Sequence, residues 1–234
     1  MIFFDIDDTL LDDRQAQDEA ARGLWRAYQP ELPYREDEFP GLWHAISTKH
    51  YHTFTTGEIT FGEQRRRRIR EAFREVPLAD AEVDARFNVY LAHHEANWSL
   101  FADTLPCLDA LAGRRIGVIS NGDPRKQRGK LEATHIAARF ALVVISGDIG
   151  IPKPQPEIFL HACRLAGEPP SACVYIGDNP VFDVHGSRGV GMTGIWLNRH
   201  GAPAADVGAP IITTLADLPS LLAEADCSHT PAHT

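Results

Sequence analysis

Six short runs of apolar and β-branched residues recur along the chain, and segments with helical character separate most of them. The runs are residues 1–6, 114–120, 141–146, 172–177, 191–197 and, less apolar, 209–214. Most are continuously apolar, which is typical of parallel strands covered on both faces. Strands that alternate with helices indicate βαβ units. The pattern therefore predicts an α/β fold with a doubly wound parallel sheet.

Helix start and stop residues bound the segments between the later strands. Asp103 and Asp123 stand at N-cap positions, and Pro124 takes the first helical position after Asp123. Gly113 and Gly167 stand where two of the helices would end. The predicted helices cover residues 103–113, 123–140, 156–167 and 180–191.

Residues 14–98 interrupt this alternation. They hold three of the four tryptophans and amphipathic patterns such as FGEQRRRRIREAF, with no convincing strand. We predict an all-helical module inserted after the first strand. The predicted domains are a sheet-containing core, residues 1–13 with 99–234, and a helical module, residues 14–98.

The run Arg65–Arg68 lies in one of these amphipathic patterns. Glu63, Glu71 and Glu75 stand at helical spacing from it, which predicts a solvated face of charge pairs. The alternative is that one of these arginines binds a substrate anion.

Composition narrows the class of partner. Of 234 residues, 44% are hydrophobic and 24% charged, as in an ordinary globular protein. The chain has 32 acidic and 23 basic residues and a formal charge of −9, which argues against broad binding to nucleic acid or to an anionic membrane. An anionic substrate remains compatible, because a bound metal ion can reverse the local field.

The cysteines and the hydropathy predict a cytoplasmic location. Cys107, Cys163, Cys173 and Cys227 form no C-x-x-C pair, so neither a disulfide framework nor a zinc site is expected. No apolar stretch approaches the ~20 residues that a membrane helix needs. The sequence leaves the oligomeric state open between monomer and homodimer.

Acidic and polar residues follow three of the predicted strands. Asp5 and Asp7 end the first strand and share one face, because side chains alternate along a strand. Ser120 and Asn121 end the second run, and Asp178 follows the fourth. Ligands of open α/β sheets bind beyond the carboxyl ends of the strands, so we expect these residues to meet there.

Two more residues complete the predicted pocket. Lys153 lies in the turn GIPKPQP after the third run, and Asp183 follows five positions after Asp178. Mg²⁺ takes one or two carboxylates together with waters and phosphate oxygens. A carboxylate can also attack phosphorus to form an aspartyl-phosphate when the charge on both anions is neutralised. Mg²⁺ and Lys153 would supply that neutralisation, so the crowded acids are interpreted as a cradle for a metal ion.

Purely structural roles are the alternative for each residue. Asp5 and Asp7 could form a polar strand end, although buried carboxylates without partners are costly. Ser120 could cap a turn and Lys153 could be solvated. The later aspartates could cap a turn and a helix.

Four short motifs, DIDDT, SNG, KP and GDNPVFD, occur in that order on these elements. Together they resemble the haloacid dehalogenase (HAD) superfamily of hydrolases, most of which are Mg²⁺-dependent phosphatases. The motifs lie within residues 1–13 and 99–200, and the helical module resembles the family's small cap. The resemblance implies a Rossmann-like core with an inserted helical-bundle cap.

The resemblance also implies catalytic and metal-binding roles. Asp5 would be the nucleophile, Asp7 the general acid and base, and Lys153 the cation that balances the charge on Asp5. Mg²⁺ would be bound by Asp5, the main-chain carbonyl of Asp7 and Asp178, with Asp183 as a further ligand or a support.

The remaining motif residues would bind substrate. Ser120, Asn121 and Lys153 would hold the phosphoryl oxygens. Thr9, grouped with them, would orient Asp7 rather than react. Gln155 stands where relatives often carry aspartate, a departure that leaves the chemistry unchanged.

The predicted function is hydrolysis of a small phosphorylated metabolite, such as a sugar phosphate, nucleotide or phosphoacid. A 2-haloacid dehalogenase of the superfamily would attack carbon without Mg²⁺ and lack the second motif aspartate, so Asp7 and Asp178 favour a phosphatase. A phosphomutase would usually carry Gly-Val in place of Asp8-Thr9. A non-catalytic binding protein would have lost a motif residue, and none is missing.

Overall fold

A computed structural model of the protein describes residues 1–203 and 207–228. Its strands form one six-stranded parallel sheet in the order β3-β2-β1-β4-β5-β6. The strands are β1 (Ile2–Phe4), β2 (Ile116–Ser120), β3 (Leu142–Ile145), β4 (Val174–Gly177), β5 (Thr193–Leu197) and β6 (Ile211–Ile212). Each falls inside one of the six apolar runs, and the predicted parallel α/β fold is confirmed.

Strand β1 lies where the chain order of the sheet reverses. Phe4 is level with Val118 of β2 on one side and with Ile176 of β4 on the other. Phe3 and Phe4 are fully buried, as expected for a strand covered on both faces. Because the strands are parallel, the carboxyl ends of β1, β2 and β4 meet at one edge, which is where open α/β sheets bind ligands.

The helices connect and cover these strands. They are α1 (Asp13–Tyr28), α2 (Phe39–Thr55), α3 (Phe61–Ala72), α4 (Asp80–Ala96), α5 (Thr104–Ala110), α6 (Pro124–Ala133), α7 (Ser146–Ile149), α8 (Pro156–Ala166), α9 (Gly186–Gly189) and α10 (Leu218–Ser228). None of the described helices combines the length and apolarity required to cross a bilayer.

Helix α6 is shorter than the sequence predicts. The segment 123–140 was expected to be one helix, but the α-helix ends at Ala133, and His135 has a φ of 58°. The hydroxyl of Thr134 donates to the carbonyl oxygen of Lys130 (2.7 Å) at this end. A left-handed residue cannot continue a right-handed helix, so the chain passes into a separate 3₁₀ turn, Ala137–Arg139.

The segment after β4 also departs from the predicted helix. A π-helical turn, Pro180–His185, precedes α9. The side chain of Asn179 accepts hydrogen bonds from the amides of Val181 (3.0 Å) and Phe182 (2.9 Å) and so caps the turn. Short π-helical pieces are frequent at functional sites, and this one carries Asp183.

The chain divides into two compact units. The sheet unit comprises Met1–Asp12 and Ser99–Thr234, and the helical unit comprises Asp13–Trp98. Helices α1 to α4 build the helical unit around a continuous apolar cluster. Its largest members are Leu24, Phe39, Trp43, Ile69, Phe73, Phe87 and Tyr90.

Helix α8 provides a direct test of the packing on the sheet. Phe159 is fully buried, and its ring packs edge-on against Tyr175 of β4 with centroids 5.4 Å apart. Phe159→Ala should lower the free energy of unfolding by about 3–5 kcal/mol, because it leaves a cavity. The neighbouring Leu160 is 45% exposed, and Leu160→Ala should change it by about 0.5 kcal/mol or less. Urea unfolding followed by circular dichroism would measure both, and equal losses would contradict this packing.

Candidate active site

Asp5 lies directly beyond β1 and is almost fully buried. Its amide donates to the carbonyl oxygen of Ile176 in β4 (2.9 Å), which extends the β1–β4 pairing to this residue. Burial raises the pKa of the Asp5 carboxyl, Lys153 opposes this rise, and the negative charge of Asp183 adds to it. The carboxylate is therefore held in a site where its charge needs a counter-ion.

Lys153 supplies part of that counter-charge. Its Nζ lies 2.8 Å from Oδ1 of Asp5 and 2.7 Å from Oδ1 of Asp183, and it donates to the hydroxyl of Tyr175 (2.9 Å). The contact with Asp5 is an ion pair between two buried groups. Burial would lower the pKa of the Lys153 ammonium, but Asp183 and Asp5 outweigh burial and raise it. Lys153 is thus a fixed buried cation.

Asn121 fixes the main chain at Lys153. Its Nδ2 donates to the carbonyl oxygen of Lys153 (3.0 Å), and its Oδ1 accepts from the Lys153 amide (2.7 Å). The sequence predicts that Asn121 holds phosphoryl oxygens, but the structure engages both ends of its amide with Lys153. Asn121 thereby ties the end of β2 to the loop that carries the lysine.

Asp178 and Asp183 complete an acidic cluster with Asp5. One carboxylate oxygen from each residue lies within 4.8 Å of the other two. Burial, and then repulsion by Asp5 and Asp183, raise the pKa of Asp178 to about 9. Like charges so close together are stable only with a cation nearby, and the cluster could hold a metal ion.

The acids of this cluster are not equivalent. Oδ1 of Asp183 faces Lys153, and Oδ2 accepts from the amide of Asn179 (3.0 Å). A Cβ at Gly177 would lie 2.3 Å from the Asp183 carboxyl carbon, so only glycine admits this approach. Among the described residues no donor engages the carboxylate of Asp178. Asp5 and Asp178 therefore keep the most capacity for an added ligand.

A second cluster holds the Asp7 carboxylate from both sides. Lys130 of α6 is buried, and its Nζ lies 2.5 Å from Oδ1 of Asp7. The side-chain amide of Gln127 donates to Oδ2 of Asp7 (3.1 Å) and lies 2.8 Å from the hydroxyl oxygen of Ser120. Ser120 is buried as well. Asp7 and Ser120 are thus brought together through Gln127, beside the Asp5 cluster.

Lys130 and Gln127 were missed by the sequence analysis. Both lie in RKQRGK, which has the composition of a solvent-exposed helix surface. The available signal was their spacing with Leu131, since residues three and four apart share one face of a helix. Gln127, Lys130 and Leu131 are all buried.

Thr9, which was expected to orient Asp7, holds the loop after β1 through its main-chain carbonyl. Its side chain is fully buried, and its Oγ1 has no hydrogen-bond partner in the described structure. Its carbonyl oxygen accepts from Arg199 (2.8 Å), whose guanidinium also binds both oxygens of Asp103 (2.8 and 2.9 Å). The described contacts of Thr9 hold the loop after β1, while Lys130 and Gln127 hold Asp7.

A family model for haloacid dehalogenase-like hydrolases matches residues 1–191. The chain therefore belongs to the haloacid dehalogenase-like hydrolase family, and the resemblance drawn from the four motifs is confirmed. It is 27% identical over 237 residues to N-acylneuraminate-9-phosphatase from Homo sapiens, a match that covers 97% of this chain and 94% of the relative.

Solved structures share the fold across nearly the whole chain. The HAD-hydrolase YfnB from Bacillus subtilis superposes with a TM-score of 0.80 at 23% identity, covering 94% of this chain and 97% of that one. A 2-haloacid dehalogenase from Pseudomonas syringae pv. Tomato DC3000 has a TM-score of 0.69 at 30% identity, covering 96% and 98%. The fold thus serves both phosphatases and dehalogenases, and site chemistry must separate them.

Asp178→Asn should stabilise the metal-free protein. Below the ordinary aspartate pKa of 3.8, Asp178 is neutral in both the folded and the unfolded chain. As the pH rises towards about 9, only the unfolded chain gives up this proton readily, so the wild type loses stability that the variant keeps. The free energy of unfolding of the variant should therefore exceed that of the wild type by an amount that grows as the pH rises from 3.8 towards about 9.

Thermal melting in EDTA at several pH values would measure this effect. The exposed Asp217 provides a control, and Asp217→Asn should follow the wild type. A wild type that is more stable than the Asp178→Asn variant at pH 8 would contradict the repulsion between these acids.

Proposed function

We propose that this protein is a Mg²⁺-dependent phosphatase that hydrolyses a small phosphate monoester through an aspartyl-phosphate on Asp5. The observation that carries the proposal is the buried pairing of Asp5 with Lys153, next to two further acids. A second carboxylate, Asp7, is held separately by Lys130 and Gln127. The site thus offers one group to attack and another to move protons.

In the first step, a carboxylate oxygen of Asp5 attacks phosphorus and the bond to the leaving oxygen breaks. Lys153 offsets the negative charge of Asp5, which would otherwise repel the incoming phosphate. Asp7, in its protonated form, donates its proton to the leaving oxygen. The alcohol then departs and the phosphoryl group remains on Asp5.

In the second step, water attacks phosphorus and the bond to Asp5 breaks. Asp7, now ionised, takes a proton from that water as its oxygen adds. Inorganic phosphate leaves, Asp5 is a carboxylate again, and Asp7 is protonated for the next cycle. One carboxyl group therefore serves both steps in alternate protonation states.

The acidic cluster fits Mg²⁺. Asp5, Asp178 and the main-chain carbonyl of Asp7 would hold the ion, with Asp183 as a further ligand or a support. Because Asp183 is already engaged by Lys153 and Asn179, two carboxylates remain for the cation, the number that Mg²⁺ usually takes. When bound, Mg²⁺ would neutralise charge on the phosphoryl oxygens and on Asp5.

A dehalogenase is the second candidate, supported by the 30% identity to a 2-haloacid dehalogenase. Two features favour the phosphatase. Attack on carbon does not require a metal ion, whereas the Asp5–Asp178–Asp183 cluster requires a cation for charge balance. A departing halide needs no proton, so a dehalogenase would not use the Asp7 carboxylate that Lys130 and Gln127 hold. The human phosphatase relative agrees with this choice.

The substrate class follows from the same site chemistry. A sugar phosphate, a nucleotide or a phosphoacid would each present the monoester that Asp5 attacks. We expect neither nucleic acid nor a membrane surface as a partner, in keeping with the net charge of −9.

Removing the nucleophile gives the primary test. Wild type should hydrolyse p-nitrophenyl phosphate with Mg²⁺ and lose this activity in EDTA. Asp5→Asn should lower kcat by about a thousandfold or more, because an amide cannot form the acyl phosphate. Asp217→Asn serves as the control. Wild-type turnover in the Asp5→Asn variant would remove Asp5 from its role, and halide release from 2-chloropropionate without Mg²⁺ would favour the dehalogenase.

Lys130→Ala tests the support of Asp7 through the leaving group. An alkoxide needs a proton to depart, whereas p-nitrophenolate leaves readily without one. The variant should therefore lose about tenfold or more additional kcat/KM on glycerol 2-phosphate than on p-nitrophenyl phosphate. Lys130→Arg should restore part of the difference, and the exposed Arg125→Ala on the same helix should show none. Equal losses on both substrates would show that Lys130 acts only on folding.

A further inference from the structure

Arg68 of α3 is an unpaired cation inside the helical unit. The adjacent arginines form ion pairs, Arg66 with Asp84 (2.6 Å) and Arg67 with Glu63 (2.9 Å). No described carboxylate pairs with Arg68, and its Nε is buried without a hydrogen-bond partner. Of the predicted pairs with Glu63, Glu71 and Glu75, the structure contains Arg67–Glu63, while Arg66 pairs with Asp84 of α4 instead.

The electrostatic surroundings of Arg68 are unfavourable for a lone cation. Burial lowers the pKa of the Arg68 guanidinium to about 10. Tyr90 and Tyr51 oppose this shift, while the positive charge of Arg65 adds to it. None of the groups acting on this pKa is a carboxylate, so the counter-charge is missing from the described protein.

The register of α2 against α3 sets Ser47 and Arg68 at similar levels along the two helices. Phe54 packs against Phe61 with ring centroids 5.5 Å apart, and Nε2 of His50 lies 2.7 Å from Oε2 of Glu71. Position numbers therefore fall along α2 as they rise along α3, so the two helices run antiparallel. Extending this register with a rise of about 1.5 Å per residue sets Ser47 within about one turn of the level of Arg68.

Further buried polar atoms without partners lie on the same two helices. Oγ of Ser47, Nε1 of Trp43 one turn earlier on α2, and Oε1 of Gln64 one turn before Arg68 on α3 have no hydrogen bonds. Tyr90 lies close to residues of both helices. Its ring centroid is 4.7 Å from that of Trp43 on α2, and its hydroxyl raises the pKa of Arg68 on α3. Buried polar groups in native proteins are nearly always paired, so the orphaned atoms of Arg68, Ser47 and Trp43 around Tyr90 indicate an absent ligand.

The chemistry of these atoms selects the ligand. Arg68, Ser47 and Trp43 are all donors. A guanidinium fork matches the oxygens of a carboxylate or phosphate. We propose that the helical unit binds an oxyanion, a carboxylate or a phosphate group, at Arg68 with Ser47 and Trp43 as supporting donors.

The oxyanion has two possible chemical forms, a free carboxylate anion or free inorganic phosphate. Neither form depends on the proposed phosphatase function. Calorimetric titration of the full-length protein with malonate, and separately with inorganic phosphate, tests binding without turnover at constant ionic strength.

Arg68→Gln should weaken malonate or phosphate binding by about tenfold or more, the loss of one charge-assisted hydrogen bond. Arg67→Gln, an exposed arginine on the same helix, is the matched control and should bind as the wild type does. Arg68→Lys keeps the charge and should retain part of the affinity; it replaces the glutamine variant if that variant fails to fold. Ser47→Ala should weaken binding by a smaller factor.

The calorimetric comparison decides the proposal. Arg68-dependent binding of malonate or phosphate supports an oxyanion site in the helical unit. Wild-type binding in the Arg68 variants, or no binding by the wild type, overturns the proposal. The titration measures no turnover, so an absence of phosphatase activity would remove the proposed function and leave this test intact.

Discussion

The arrangement of the site depends on the ion pairs that the ammonium group of Lys153 makes. Three acids gather at the carboxyl edge of the sheet, and two of them, Asp5 and Asp183, face this one buried cation at 2.8 and 2.7 Å. Without it, two nearly fully buried carboxylates would lie side by side uncompensated, at a cost that folding could not easily offset. The hydroxyl of Tyr175 and the amide of Asn121 hold the lysine in place, so elements β2 and β4 both contribute to one charge balance.

The site contains two carboxylate clusters with different roles. Asp5 lies with Lys153 in the drier cluster, where charge must be compensated and a phosphoryl group can be received. Asp7 lies with Lys130 and Gln127 in the other, where both of its oxygens are oriented. The separation gives each carboxylate its own cation, so that one group can attack while the other is positioned to exchange a proton.

The sequence predicts the sheet well because strands buried on both faces are continuously apolar, and the turn residues after them carry the motifs. The sequence predicts less well which side chains hold the site residues in place. Lys130 and Gln127 are hidden in a helix whose composition is that of a solvated surface, and their burial depends on the packing of α6 against the strand ends. Helix α6 ends at Ala133 because His135 adopts a left-handed backbone conformation. No glycine stands at this position to indicate such a conformation in the sequence. The role of Asn121 likewise depends on a distant loop brought close only by the fold.

Chemical trapping of the intermediate tests the central claim most directly. The protein would be quenched during turnover of p-nitrophenyl phosphate with Mg²⁺, reduced with borohydride, and its N-terminal peptide analysed by mass spectrometry. An acyl phosphate is reduced to an alcohol, so the account predicts conversion of the Asp5 side chain to that of homoserine only when substrate is present. Phosphate release with Asp5 unmodified, or with the modification on another carboxylate, would contradict it.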